Sequence, residues 1–200
     1  MELTKVLYII LCALAGYLFG NFQTAVVISR HFLHDDVREH GSGNAGTSNM
    51  IRVFGISPGL ITFAGDFLKG ILAVLAGRLI MGRDGGMIAG IFVAVGHCWP
   101  VFLRFKGGKA VATSLAVVFM HFPLAGLIGL AVGLTVFLLW RRFSLMSLTG
   151  TAVVLVMTLV LRWTDIRLVI LTAFLTALIF LRHWTNIGRL IRGEEKKYER

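Results

Sequence analysis

Charge is what this chain has least of. Only 15% of its 200 residues are Asp, Glu, Lys or Arg, while 56% are hydrophobic. Mean hydropathy is +0.81. That balance excludes an ordinary soluble domain, in which about a quarter of residues are charged. Acidic residues are the scarcest, ten against twenty basic, which leaves a formal net charge of +10. In a soluble protein such an excess would point to nucleic acid. Here the basic residues flank apolar runs, and no basic arm or nucleic-acid module is present, so no nucleic-acid partner is expected. Cysteine is nearly absent. Cys12 and Cys98 lie in apolar segments without ligand spacing, and read as packing residues. No repeat with a period of roughly 20–50 residues is found. No cleavable signal peptide is evident either, because the first apolar run continues to about Ser29 without a small-residue cleavage site.

What is present is a series of apolar runs of bilayer length. They predict an all-α polytopic membrane protein with seven spans, at residues 3–29, 56–81, 86–105, 109–122, 123–140, 144–161 and 166–181. The fourth is short for a crossing helix, yet Pro123 after His121 and Phe122 makes a natural tight turn. Seven spans place the termini on opposite sides, and the Lys/Arg bias decides which side is cytoplasmic. One side collects fourteen: Arg30, Arg38, Arg52, Arg104, Lys106, Lys109, Arg141, Arg142, Arg182, Arg189, Arg192, Lys196, Lys197 and Arg200. The other has five, Lys5, Arg78, Arg83, Arg162 and Arg167. The expectation is an N-terminus outside and a C-terminus in the cytoplasm, with residues 1–200 forming a single domain.

That topology gathers the polar interruptions, residues 36–52, 96–113, 141–147 and 182–194, on the cytoplasmic side. A structural bundle needs no such set, whereas a site handling anions at a membrane surface does. Lys106, Gly107, Gly108 and Lys109 open the fourth span. Glycines let a backbone curl its N–H groups toward an anion, and the helix start behind them adds its dipole. The expected role is a phosphate cradle, although the Walker A spacing is absent; a positive-inside turn with flexible glycines is the plain alternative. Residues 41–49 (GSGNAGTSN) precede Arg52 and offer hydroxyl, amide and N–H donors, including Ser42 and Asn44. A loop of this kind enters a bilayer only where protein buries it or water fills it; otherwise it is a linker.

Asp66 and Lys69 lie inside the second span at i and i+3. They share a helix face and are expected to pair, in a structural or a catalytic role. His31 and Asp36 match the H-x-x-x-x-D dyad of soluble-faced glycerolipid acyltransferases, but the partner signatures of that class are absent. His31, His34 and His40 fit no standard metal spacing and read as a solvated loop.

Taken together, several segments resemble the bacterial acyl-phosphate:glycerol-3-phosphate acyltransferase (PlsY) family. They are residues 42–49 with Arg52, Asp66 to Gly70, Gly96-His97 with Pro100, Lys106 to Thr113, Ser144 to Ser147, and Arg182-His183 with Asn186 and Arg189. The likeness runs along essentially the whole chain in order and spacing. It implies a seven-span inner-membrane enzyme, its site facing the cytoplasm, that makes lysophosphatidic acid from sn-glycerol 3-phosphate and a fatty acyl phosphate. No cofactor or metal is implied. Membrane lipids and the enzyme that forms the acyl phosphate are the further partners. The resemblance assigns activity to Ser42, Arg52, His183 and Asn186, the glycerol-phosphate loop to Lys106–Lys109, and a site role to Ser147 of the serine pair. It makes Glu194 structural. Three positions depart from the family pattern: Ala45 replaces a proline, Thr47-Ser48 stands for Ala-Thr, and Ala110 replaces a glycine. Either position 110 needs a positive φ, at a cost of roughly 1 kcal/mol for alanine, or it is already helical, as expected here.

The chemistry fits these residues. An acyl phosphate expels inorganic phosphate, so no protein nucleophile is required. Charge neutralisation falls to Arg52, Lys109 and the loop N–H groups, and positioning to Ser42, Asn44, Ser147 and Asn186. The hydroxyl proton goes to His183 or to an oxygen of the acyl phosphate itself. The rival reading is a transporter of a phosphorylated solute, which also points broken helix ends at an anion. No matching polar segment on the outer face and no internal repeat support it.

Overall fold

The computed structural model describes residues 2–198; Arg200, counted above among the cytoplasmic cations, lies outside them. Its regular elements are all helical: α1 (Glu2–Asn21), α2 (Thr24–Phe32), α3 (Thr47–Phe54), α4 (Ile56–Cys98), α5 (Val111–His121), α6 (Pro123–Trp140), α7 (Phe143–Leu161), α8 (Ile166–Arg182) and α9 (Trp184–Ile191). No strand occurs among the described residues. Two compact units divide within α5, at Met1–Val117 and Val118–Arg200.

In the first unit, α4 is two arms rather than one rod. Met81 and Gly82 leave helical geometry, and Gly82 takes φ +60, so the chain reverses there. The arms return in backbone contact, Gly77 against the Gly85 carbonyl, with Gly86 near the Val74 carbonyl. This reversal separates the two expected spans 56–81 and 86–105. Helix α1 packs on the second arm through small residues: Gly16 meets the Ala89 backbone, and Gly20 meets Val93, Gly96 and His97. Without a hydrophobic force between helices in lipid, such close backbone approach is what makes association favourable.

The expected span 3–29 is interrupted. Phe22 and Gln23 break the helix between α1 and α2, which frees carbonyls that must find donors in a buried place. The Gln23 amide satisfies the Gly20 carbonyl at 2.9 Å, and Lys69 Nζ satisfies the Phe22 carbonyl at 2.5 Å. Asn21, Gln23 and Thr24 mark the break in the sequence, but they are uncharged and flanked by apolar runs, so hydropathy carries the span through them.

In the second unit, α6 and α7 are joined across Arg141 and Arg142, with Arg141 at φ +55. Gly129 and Gly150 meet backbone to backbone, and Gly133 approaches the Met146 carbonyl. Along α8, Leu168, Leu171, Leu175 and Ile179 form one fully buried stripe at helical spacing. Outward-facing Leu79, Leu138 and Trp163 stay exposed, as expected of a surface whose solvent is lipid. Four helical stretches, Glu2–Phe32, Ile56–Leu103, Pro123–Trp140 and Phe143–Leu161, are long and apolar enough to cross a membrane. The bent pair Ile166–Arg182 with Trp184–Ile191 adds a fifth, and Val111–His121 is a shorter apolar helix.

The Gly20 contact yields a test. A Cβ added there would lie 2.8 Å from backbone atoms of Gly96 and His97, so a side chain cannot be absorbed by a rotamer change. Gly20→Val is expected to cost about 2 kcal/mol or more, read as a lowered thermal unfolding midpoint in detergent. An unchanged midpoint would show that α1 can shift away without loss.

Candidate functional site

Each unit carries part of the predicted site. In the first, residues 41–49 are folded around one buried amide rather than left as a linker. Asn49 donates from Nδ2 to the carbonyls of Val37 at 2.9 Å and His40 at 3.0 Å. Its Oδ1 accepts from the Ser42 backbone N–H at 2.9 Å. The loop is thereby closed, with Ser42 exposed and Asn44 half-buried at its outer edge. Gly46 then caps α3, whose last turn carries an exposed Arg52. Asn49 was legible only as one more polar loop residue; its anchoring role needed the fold.

Beside this loop runs the Lys106–Lys109 segment. Two of its N–H groups, one of them a glycine's, have partners inside the protein. The Gly108 N–H donates to the His97 carbonyl at 3.0 Å, and the Lys106 N–H to the Leu103 carbonyl at 3.1 Å. Those two N–H groups are spent inside the protein and do not line an anion cradle. Neither Gly107 nor Gly108 has a positive φ. What each position requires is the missing Cβ. A side chain on Gly107 would collide with the His97 carbonyl and lie 2.9 Å from that of Cys98; one on Gly108 would strike His97 Nε2 and lie 2.8 Å from the Ala45 carbonyl. The glycines let the loop press onto His97, with Lys109 half-buried and Lys106 exposed behind it.

Ala110 also departs from expectation. It is not helical but left-handed, at φ +57, and its carbonyl accepts from the Ser114 N–H at 2.8 Å as α5 begins. The chain must turn sharply out of the loop into the helix, and alanine carries the strain that glycine would avoid.

His97, named above only within a resembling segment, was given no role in the site. Its ring is 3% exposed. Nδ1 lies 2.8 Å from Lys69 Nζ, and Lys69 pairs with Asp66 Oδ1 at 2.8 Å. Thr24 Oγ1 donates to the same carboxylate oxygen at 3.0 Å. The expected Asp66–Lys69 pair is therefore present and leads directly to the loop.

In the acidic loop between α2 and α3, Asp36 is held by Arg30 and Arg38 at 2.8 Å each. The Arg38 hydrogen bonds hold its carboxyl well below the usual carboxylate range, against the opposing effect of burial. Asp36 is thus an anchor for the loop, and Arg30 is engaged by it.

The second unit collects its residues around a carboxylate, and this corrects one assignment. Glu194 is exposed and pairs with Arg192. The structural glutamate is Glu195, whose Oε1 accepts from Ser144 Oγ at 2.7 Å and from Asn186 Nδ2 at 2.6 Å. Its Oε2 accepts from Arg189 at 2.8 Å. Gly193 at φ +73 turns the chain so that the second glutamate, not the first, faces inward. Burial alone would raise the Glu195 carboxyl, but the bonds from Ser144, Asn186 and Arg189 outweigh it and its pKa is lowered. Of the serine pair, Ser144 belongs to this clamp; Ser147 is half-buried and donates to the Phe143 carbonyl at 2.9 Å.

His183 does not share a continuous helix with Asn186. It sits at a 64° bend, ending α8 and capping α9. The ring is 3% exposed. Because a carbonyl only accepts, the 2.8 Å contact between Nδ1 and the Ile179 oxygen places the proton on Nδ1. In the neutral ring Nε2 then carries the lone pair, the form that a proton acceptor requires.

Comparison with known proteins places these features in a family. Residues 10–193 match the family model described as glycerol-3-phosphate acyltransferase. The chain is 48% identical over 128 residues to a glycerol-3-phosphate acyltransferase of Thermoanaerobacter sp. (strain X514), covering 64% of this chain and 65% of that protein. It is 39% identical over 125 residues to one of Alkaliphilus metalliredigens (strain QYMF), covering 62% and 64%. The matched stretches thus span just under two thirds of these relatives. Two crystal structures of PlsY, an integral membrane glycerol 3-phosphate acyltransferase, are similar over nearly the full length. The glycerol 3-phosphate form has a TM-score of 0.89 at 35% identity and 96% coverage of both chains. The lysophosphatidic acid form has a TM-score of 0.86 at 34% identity, with 96% and 95% covered.

Two expectations follow from the site. The Glu195 carboxyl has a folded-state pKa below its ordinary 4.5, so its contribution is present above that value and lost as pH falls through the folded one. The thermal midpoint of the native protein should therefore drop on acidification below about pH 4.5, and less steeply in Glu195→Gln. Parallel acid curves would remove the clamp as an anchor. Ala110→Gly should raise stability by about 1 kcal/mol by relieving the left-handed alanine; a lower midpoint would contradict the strain.

Proposed function

The chain belongs to the glycerol-3-phosphate acyltransferase family, and on that premise we propose that it transfers a fatty acyl group from an acyl phosphate to sn-glycerol 3-phosphate. The products are lysophosphatidic acid and inorganic phosphate, the entry to phospholipid synthesis. The single observation carrying this reading is the near full-length likeness to the PlsY structure in its glycerol 3-phosphate form.

In the reaction, a glycerol hydroxyl adds to the acyl carbonyl, the carbonyl–phosphate bond breaks, and phosphate leaves with the electron pair. The hydroxyl proton passes to His183 Nε2 or to an oxygen of the acyl phosphate. The Nδ1–Ile179 bond supports the first route by presenting an unprotonated Nε2. Arg52 and Lys109 neutralise phosphate charge, as a fork and a point charge respectively. Ser42, Asn44, Ser147 and Asn186 position the substrates, with Lys106 adding charge at the loop. Gly107 and Gly108 serve binding by shaping the loop. The reading needs no metal or other cofactor. The acyl chain lies among apolar helices, where a lipid-soluble donor partitions.

The finer topology belongs to the same proposal: seven crossings, N-terminus outside, and an active site facing the cytoplasm at the inner membrane. The reversal at Met81 and Gly82 supports two crossings within Ile56–Leu103, whose 48 residues would span about 70 Å if straight. Residues 1–200 act as one acyltransferase domain, and the family match across 10–193 supports that extent. The enzyme that forms the acyl phosphate is a partner by supply.

The purified protein, given a long-chain acyl phosphate and glycerol 3-phosphate without added metal, should release phosphate and lysophosphatidic acid in equal amounts. Failure to form either product overturns the reading. His183→Ala should lower kcat by roughly 10²-fold or more while leaving the thermal midpoint nearly intact. A base at His183 gives an acidic limb in the pH–rate profile that disappears in His183→Asn; an unchanged limb assigns the proton to the substrate phosphate.

A further inference from the structure

Lys69 is a buried cation, 3% exposed, with three acceptors. Its Nζ lies 2.8 Å from Asp66 Oδ1, 2.5 Å from the Phe22 carbonyl and 2.8 Å from His97 Nδ1. An ammonium has three N–H donors and no acceptor, so this set satisfies it completely. A carbonyl and a carboxylate oxygen take two of those protons. The third must go to His97 Nδ1, which then cannot carry a proton of its own. The neutral ring is therefore the Nε2–H tautomer, and Nε2 lies against Gly108, where an added Cβ would strike it and lie 2.8 Å from the Ala45 carbonyl. The same residue acts through its backbone. Its carbonyl accepts from Gly108 N–H at 3.0 Å and from Gln23 Nε2 at 3.2 Å.

The ring and the backbone carbonyl of one residue thus meet the loop at one glycine, beside the Ala45 carbonyl of the preceding polar loop. We propose that His97, held as the Nε2–H tautomer by the Asp66–Lys69 pair, is a positioning residue for the acyl acceptor. It fixes the Lys106–Lys109 loop against residues 41–49 so that both present one geometry to glycerol 3-phosphate. The inference rests on the acyltransferase reading above. It assigns the buried ions a role in acceptor binding rather than in fold alone. His97 touches no substrate in this account. It acts through Gly108 and Ala45.

A positioning role has consequences that a structural one lacks. Losing the grip loosens the acceptor loop and leaves the donor's contacts in place. His97→Ala should therefore raise the KM for glycerol 3-phosphate at least tenfold, with the acyl-phosphate KM and kcat changed less than threefold. His97→Gln, whose amide N–H can reach the position of Nε2–H, should recover most of the acceptor KM. Equal loss in kcat with an unchanged acceptor KM would overturn the proposal, as would parallel rises in both KM values. If His97→Ala fails to fold, the tautomer decides instead. In the intact protein labelled with ¹⁵N-histidine, the His97 ring should show Nε2 protonated and Nδ1 unprotonated. Protonation at Nδ1 would reverse the Lys69 contact and sink the argument. The native protein's own turnover keeps the two readings apart. An inactive wild type refutes the acyltransferase reading, whereas an active one with unaffected acceptor KM in His97→Ala refutes only this one.

Discussion

A charged amine cannot stay buried in a membrane helix unless each of its protons is taken. The first unit is arranged around that constraint. Lys69 collects a carboxylate from its own helix, a carbonyl from the break between α1 and α2, and a ring nitrogen from the second arm of α4. Three segments distant in the chain are tied to one atom. The break at Phe22 would otherwise leave a carbonyl without a donor in a region that water does not reach. The lysine and the break therefore explain each other.

The second unit solves the mirror problem. Glu195 is a nearly buried anion, and Ser144, Asn186 and Arg189 bring it donors from α7 and α9. In each unit a buried ion of one sign gathers polar side chains next to residues with a role in the proposed chemistry. Removing a partner from such a set is far costlier than never having built it, because a lone charge is left behind. Both clusters also keep polar residues in segments that packing alone would fill with leucine.

Small residues make the rest possible. Gly16, Gly20 and Gly96 bring α1 and α4 into backbone contact, and Gly77 and Gly85 close the arms of α4. In the loop, Gly107 and Gly108 do for His97 what Gly20 does for the helices. They remove a Cβ so that main chain can approach the His97 carbonyl and ring. Ala110 shows the limit of this economy. There the backbone needs a left-handed residue rather than an empty space, and the chain supplies alanine at a cost.

Much was legible before the fold was known. Hydropathy marked apolar segments that are helical, the i, i+3 spacing paired Asp66 with Lys69, and motif order pointed to the family. These are local properties, set by backbone hydrogen bonding and side-chain spacing within one helix. What tertiary structure alone decided lies at contacts between distant segments. The break at Phe22, the anchoring of residues 41–49 by Asn49, and the use of Gly108 N–H by His97 all depend on a partner many residues away. The choice between Glu194 and Glu195 turned on one positive φ at Gly193, and the left-handed Ala110 on the angle at which the loop enters α5. Sequence spacing names the groups a site needs; which hydrogen bonds they spend on each other is settled only when remote backbone comes within 3 Å.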